Sequence, residues 1–301
     1  MAKMSVPLFA GSVRYPRAGT WPRPQKNRIA KMEPIAALNQ LMKESHKYIL
    51  TMYADGSYLH ILLQHTENRD SIVTERLPIG STQQSLEEAV FSQPVLTRAF
   101  EKVFFLVDSP RYTFIPNAFA SADDNPLYFK FCFPDSDGTA VAAELPHTGA
   151  QMLFEVDTER LSFIRRTFDR PVVLHRLAPV CEYFYRKSRL GYNAKLYVHW
   201  GNDSIDLFAF NQQGFLLANS FAMHHVNDGI YYILNAWKQL GFSPTDDELS
   251  LSGNHQELRQ HIIPLIRKHL AFITLTKFPS HLPAGDESLP LPLRLITAYT
   301  R

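Results

Sequence analysis

Two stretches of this chain, some 147 residues apart, follow one plan: three short strands joined by tight turns, then a helix, then an apolar strand. In the first, strands at residues 48–53, 58–64 and 72–77 are joined by an Asp55-Gly56 turn and a polar turn at residues 67–70. In the second, strands at residues 196–200, 205–210 and 215–221 are joined at residues 201–204 and 211–214. Apolar strands at residues 103–107 and 248–251 follow. Ile49 and Leu196 lie 147 apart and Phe104 and Leu249 145 apart, so the spacing holds along the unit. A constant offset over a whole supersecondary unit implies duplication of a half-molecule. A meander followed by helix, strand and helix is a layered α/β unit, so the chain is confined to two related lobes.

The 301 residues suffice for two lobes with a core each, and 45% hydrophobic against 20% charged residues is ordinary globular composition. A net charge of +2 gives no reason to invoke nucleic acid, but it hides an asymmetry. Residues 1–31 carry Lys3, Arg14, Arg17, Arg23, Lys26, Arg28 and Lys31, four prolines and no acidic residue. That segment is expected to be loosely attached, and its removal to leave the thermal midpoint unchanged. Met32 offers a cleaner beginning. No run has the basic, apolar and cleavage regions of a secretory signal, and none reaches the ~18–20 apolar residues of a membrane helix. Cys132 and Cys181 are too few for a disulfide framework or a zinc site, so the expected compartment is the cytoplasm.

The chain divides, on this reading, into a basic Pro-rich tail and short lead-in helix (1–45, the helix at 35–43), a first lobe (46–149) and a second lobe (150–301). Thr82 and the apolar positions Leu86, Val90 and Phe91 mark the first helix; Pro94 interrupts it and a further helical turn covers residues 95–100. Residues 112–115 form a short strand. Residues 134–149, rich in Pro, Asp and Gly, read as loop and mark the boundary. Strand, helix, strand and helix follow at 152–156, 158–168, 171–174 and 177–187. The strongest helix spans 226–240, where Val226, Ile230, Ile233, Leu234, Trp237 and Leu240 share one face and Gly241 ends it. A helix over 256–270 is broken at Pro264, a strand lies at 271–276, and a Pro-rich loop over 279–292 precedes a short apolar end.

Few residues suggest chemistry by themselves. His255, His261 and His269 share a helix at spacings that do not stack them, and His224-His225 lacks a neighbouring metal-binding pattern. Asp135-Ser136-Asp137-Gly138 resembles the start of a calcium loop, but the position needing a bidentate Glu is Pro146. No phosphate-binding P-loop, dinucleotide fingerprint or nucleophile elbow occurs, and Cys181 reads as a core thiol. No metal is expected.

The segments YADGSYLHILL (53–63), NDGIYYILNAWKQL (227–240) and LSLSGN (249–254) resemble an uncharacterised bacterial family of unknown function with an actin-like ATPase fold. The architecture over residues 46–280 is similar to that fold, shared by actin, sugar kinases and heat-shock chaperones. Residues 151–253 look most like its pilus-assembly and secretion-platform members. The resemblance implies duplicated ribonuclease H-like lobes. It also implies, in an active member, a carboxylate ending the first strand of each triplet to hold hydrated Mg²⁺, hairpins whose N–H groups wrap phosphates, and a Gly-Gly pair against adenosine.

Here His199-Trp200-Gly201-Asn202-Asp203-Ser204 has a histidine where the carboxylate belongs. Asp55-Gly56-Ser57 lacks the expected D-x-G spacing, and Gly253-Asn254 replaces Gly-Gly. Asp55-Gly56 is explained more cheaply as a hairpin dipeptide, and Asp203 as a turn residue. The expectation is a non-catalytic scaffold or protein-binding module that needs no cofactor and recognises an unidentified polypeptide. The three turns would line one groove, with Trp200 supplying apolar bulk. The alternative is a divergent ATP binder or phosphotransferase using Asp55 or Asp203 for Mg²⁺; a weaker one has the basic tail bind RNA or a ribosomal surface.

Overall fold

The computed structural model describes residues 44–69, 71–278 and 289–299. The basic tail, the expected helix at 35–43 and most of the 279–292 loop lie outside these residues. In chain order the first half contains β1 (Tyr48–Ala54), β2 (Tyr58–His65), β3 (Ile72–Pro78), α1 (Gln83–Phe91), β4 (Lys102–Val107), β5 (Tyr112–Pro116), α2 (Asn125–Cys132), β6 (Thr139–Leu145), β7 (Ala150–Val156), α3 (Thr158–Thr167), β8 (Val172–His175) and α4 (Leu177–Ser188). The second contains β9 (Lys195–Trp200), β10 (Ser204–Asn211), β11 (Gly214–Ala222), α5 (Val226–Gln239), β12 (Glu248–Ser252), a short α6 (His255–Glu257), a π-helical turn (Leu258–Ile262), α7 (Ile263–Ile266), β13 (Phe272–Leu275) and α8 (Leu291–Tyr299).

Two five-stranded sheets have matching orders, β3-β2-β1-β4-β8 and β11-β10-β9-β12-β13. In each the first three strands are antiparallel and the last two join in parallel. Strand register fixes the duplication closely. Ile49 faces Lys102 as Lys195 faces Glu248, and Ala54 faces Leu59 as Trp200 faces Ile205, so one offset of 146 relates all three strand pairs. At the fifth strand Val172 corresponds to Thr274, an offset of 102, so the first half holds 44 more residues there. The separate sheet β5-β7-β6 and its helix α2 account for that excess.

This insertion corrects the expected boundary. A division at 149/150 would cut the β6–β7 hairpin, where Leu145 pairs with Ala150, and would assign β8 to the wrong sheet. Residues 139–145, read as loop, form β6, held by pairing along the whole of β7. Residues 95–100 make successive turns, not a helix, with Leu96 donating to the Gln93 carbonyl and Arg98 to that of Val95. The expected kink at Pro264 takes the form of the π turn just before it.

Alternation along β9 and β10 decides how the lobes join. Leu196, Val198, Trp200, Ile205, Leu207 and Ala209 point to one face, into a core shared with Ile233 and Trp237 of α5. Tyr197, Phe208 and Phe210 point to the other, into the core of the first half. They meet α4, which is buried on nearly every side; Phe184 stacks on Tyr197 at 4.6 Å between ring centres and lies 5.4 Å from Phe208. Each such side chain contributes roughly 1.5–3 kcal/mol by leaving water. The α8 residues Leu291, Leu293, Leu295 and Ile296 join the same core against α4 and β1. The lobes therefore share a continuous apolar junction.

Candidate functional site

At the edge of that junction, where β1, β4, β8 and β9 end, lies a cavity of about 220 Å³. Tyr53, Asp108, Arg176, His199 and Asp206 supply its polar walls, and Pro290, Leu291 and Pro292 close one side. Strand register explains the placement. Tyr53 and His199 are equivalent under the offset of 146, one residue before the end of the first strand of each triplet, and His199 pairs across β9–β10 with Asp206. Asp206 lies on the same face as Phe208, and so looks toward the first lobe.

Arg176 follows β8, its N–H bound to the Val107 carbonyl at 2.8 Å. Its guanidinium donates to Asp206 Oδ2 at 2.7 Å and Oδ1 at 3.0 Å, to Asp108 Oδ1 at 2.9 Å and to Ser220 Oγ at 2.8 Å. The bidentate fork thus ties the first sheet to the second. The pair is largely dry, with side chains 12% and 6% exposed. Burial works to raise the Asp206 pKa, but the adjacent guanidinium outweighs it and holds the group below the ordinary carboxylate range. Burial also favours the neutral forms of His199, whose pKa is lowered, and Tyr53, whose pKa is raised. At neutral pH the cavity therefore holds one fixed cation between two carboxylates.

The residues singled out from the sequence meet only in part. Asp55 is turned back on its own hairpin: its carboxylate accepts from the Ser57 N–H at 2.9 Å and the Tyr58 N–H at 2.8 Å, and contacts His60 Nε2 at 2.7 Å. Those hydrogen bonds hold its pKa down against burial, and Gly56 provides the positive φ of +91° that the turn needs. Gly201 and Ser204 line the cavity, closing a turn through Gly201 N–H to the Ser204 carbonyl at 2.9 Å. Asn202 and Asp203 are exposed at its tip.

Trp200 does not enter the groove, contrary to expectation. Alternation sends it into the second core, where a Cβ on Gly229 of α5 would lie 2.5 Å from its ring and one on Gly253 would lie 2.4 Å from its carbonyl oxygen. Gly253 therefore answers to Trp200, and Asn254 caps α6 by accepting from the N–H groups of Gln256 and Glu257. Of the three turns expected to face one groove, only residues 201–204 line this cavity.

Sequence reading missed Tyr53, Asp108, Arg176 and Asp206. One signal was present: Asp206 is the only charged side chain in the strand 205–210, where a buried charge requires a partner. As a place for a Mg²⁺-nucleotide, the donor set differs from the one the resemblance calls for. The first strands bring a phenol and an imidazole instead of carboxylates. The carboxylates present, Asp108 and Asp206, already hold a guanidinium, and the hairpin N–H groups of Ser57 and Tyr58 are taken by Asp55. The volume is also below the ~300–1,000 Å³ usual for small-molecule sites. Among the described residues no group of three His, Cys, Asp or Glu side chains has metal-holding geometry, and no helix is long and apolar enough to cross a membrane.

The chain belongs to the family described as protein of unknown function (DUF3822), whose profile matches residues 39–273. Its structure is similar to that of a protein with actin-like ATPase fold and unknown function from Bacteroides thetaiotaomicron VPI-5482. The TM-score is 0.71 at 22% identity, covering 85% of this chain and 98% of the other. A chain of the PilM–PilN type IV pilus biogenesis complex gives 0.49 at 12% identity, covering 84% and 98%. Glucokinase from Balamuthia mandrillaris, in complex with glucose, gives 0.47 at 11% identity, covering 88% and 97%. No curated protein matches significantly. The likeness to the Bacteroides protein is one of fold, and the fold is actin-like.

Proposed function

We propose that this protein is a non-catalytic actin-like scaffold, a polypeptide-binding module whose inter-lobe cleft is closed by an internal ion pair in place of a nucleotide. The observation that carries the reading is Arg176. A guanidinium held by Asp206 and Asp108 at the lobe junction occupies the charge role that Mg²⁺ fills in an active relative, and it needs no ligand to do so. The apolar junction around α4 supports the same reading, because lobes packed through Phe184, Tyr197 and Phe208 are poorly suited to opening and closing on a substrate. Cysteine usage agrees with cytoplasmic work: Cys132 and Cys181 are both free thiols.

One observation favours a second reading. Asp108 and Asp206 are carboxylates in the cavity, and a divergent ATP binder or phosphotransferase would use them, not Asp55 or Asp203, once Arg176 swung away. Isothermal titration with Mg-ATP separates the two. The scaffold reading expects no heat and no phosphate release. Micromolar binding lost in Asp206→Ala, or steady hydrolysis by the wild-type chain, would overturn it in favour of the enzyme.

A further inference from the structure

The helix α2 lies over the inserted sheet and is anchored there. Phe129 is buried and packs on Phe133 at 5.0 Å between ring centres. Asn125 donates to Gln151 Oε1 at 3.0 Å and accepts from the Ser121 N–H at 3.2 Å. Lys130 is drawn to the Ser136 carbonyl at 3.1 Å. The helix is thereby held in one orientation, and that orientation turns large apolar side chains to solvent: Phe131 is 89% exposed, Leu127 67% and Tyr128 38%. Leu127 and Phe131 are one helical turn apart and so form a ridge, with Tyr128 three residues before Phe131 on its flank.

At 150–250 Å² for a whole aromatic side chain, this ridge exposes on the order of 350 Å². That is within the size range of the largest apolar patch on an ordinary monomer, a patch that is often functional, and nearly half of the ~800 Å² one partner gives to a standard interface. Charge decides what covers it. Asp123 and Asp124 precede the helix, Asp135 and Asp137 follow it, and Lys130 is the only basic residue from 117 to 138. The Asp137 side chain is 99% exposed and pairs only loosely with Arg111, at 3.9 Å, whose guanidinium bonds Glu155 more closely at 3.0 Å. An acidic rim repels an anionic lipid surface, and it repels the same face of a second copy. It complements a segment with apolar anchors flanked by Lys or Arg.

We propose that the α2 face is a docking surface for a cationic amphipathic segment of a partner protein, with Leu127 and Phe131 as the apolar anchors and the four aspartates setting charge preference. The proposal rests on the reading of the chain as a binding module and adds a surface outside the cleft. The two are tested apart: nucleotide turnover would sink that reading and leave the binding described next untouched.

The probe is a fluorescein-labelled Leu/Lys peptide with leucines on one helical face, followed by fluorescence anisotropy with the full chain. Its Leu/Glu twin has the same apolar face and opposite charge. The wild-type chain is expected to bind the Leu/Lys peptide about tenfold or more tightly than the twin, with binding weakened by salt. Leu127→Ser and Phe131→Ser are expected to reduce that affinity by about tenfold or more, with far-UV circular dichroism and melting temperature unchanged because both residues are exposed. Equal binding by the variants, or of the twin, overturns the proposal. So does co-sedimentation with phosphatidylserine vesicles that Phe131→Ser abolishes, which would make the face a membrane contact. A dimer in sedimentation equilibrium that dissociates in the same variant also overturns it, by making the face a self-interface.

Discussion

Replacing Arg176 by methionine, which keeps an unbranched apolar stem and removes the charged guanidinium, strips Asp206 of both guanidinium hydrogen bonds while leaving it in a dry site. Asp206 and Arg176 are only 6% and 12% exposed, so solvent screening offers little relief. Breaking such a pair from one side costs about 3–5 kcal/mol, because an uncompensated charge stays buried. At about 2–4 °C per kcal/mol for a domain of this size, the melting temperature should fall by roughly 10 °C. Asp108, whose side chain is 54% exposed, gives a contrast: Asp108→Asn should cost no more than about 1 kcal/mol. The double variant Arg176→Met/Asp206→Leu removes both charges and should be more stable than Arg176→Met alone. The sign of the pH dependence follows from Asp206, whose folded pKa lies below its unfolded value of ~3.9. Its contribution is complete above that value and is lost as pH falls through the folded pKa, so wild type and Arg176→Met should converge in acid. Urea unfolding at pH 7 and in a series toward pH 3 measures this. A loss of under ~1 kcal/mol for Arg176→Met, or a double variant less stable than the single, would show that the pair is solvated and the lobes are held by other means.

His175 is buried and neutral, its Nε2 bound to the Ser109 carbonyl at 2.9 Å and its Nδ1 accepting from the Leu177 N–H, with burial pushing its pKa down to about 4. Its contribution is therefore complete above the unfolded value of ~6.5 and is lost as pH falls toward 4, on the order of 2–3 kcal/mol; His175→Asn should flatten the stability profile in that window of urea titrations. Gly229→Ala places a Cβ 2.5 Å from the Trp200 ring and should cost about 1–3 kcal/mol by overpacking despite alanine's better helix propensity, with Trp200→Leu in the same chain recovering part of the loss in thermal melts. Leu293→Ala and Leu295→Ala, both fully buried in α8, should each cost about 2–5 kcal/mol in chemical denaturation; neutral values would mean that α8 does not belong to the junction core.

The two meanders and α5 were legible because their signals are local. Strand periodicity, the Asp55-Gly56 dipeptide and an apolar stripe ending at Gly241 need no tertiary information. The inserted sheet was not, since β6 reads Thr-Ala-Val-Ala-Ala-Glu-Leu between Asp/Gly-rich flanks and is a strand by virtue of pairing with β7. The site divides the same way. His199, Gly201 and Ser204 were found because they occupy a recognisable hairpin position. Arg176 and Asp108 come from the ends of β8 and β4, and only the packing of α4 between the sheets brings them to Asp206. Trp200 was placed wrongly although alternation could have placed it: if His199 faces the cleft, the next residue of the strand faces the core.

Equivalence under the offset of 146 shows how one ancestral position has been put to two uses. His60 and Asp206 occupy the same place in β2 and β10, each opposite the residue that ends in the cleft, Tyr53 or His199. In the first lobe His60 is satisfied within its own hairpin, by Asp55 five residues away. In the second, Asp206 meets the Ser220 hydroxyl opposite it in its own meander, and its charge is balanced across the junction by Arg176. A symmetric arrangement, with a carboxylate from each lobe facing the cleft, would leave two like charges that demand a cation between them. Here one side has become self-contained and the other is bound to a cation built into the chain. On the scaffold reading proposed above, stability of this arrangement depends on covalently fixed groups, which is why Arg176→Met is its sharpest test.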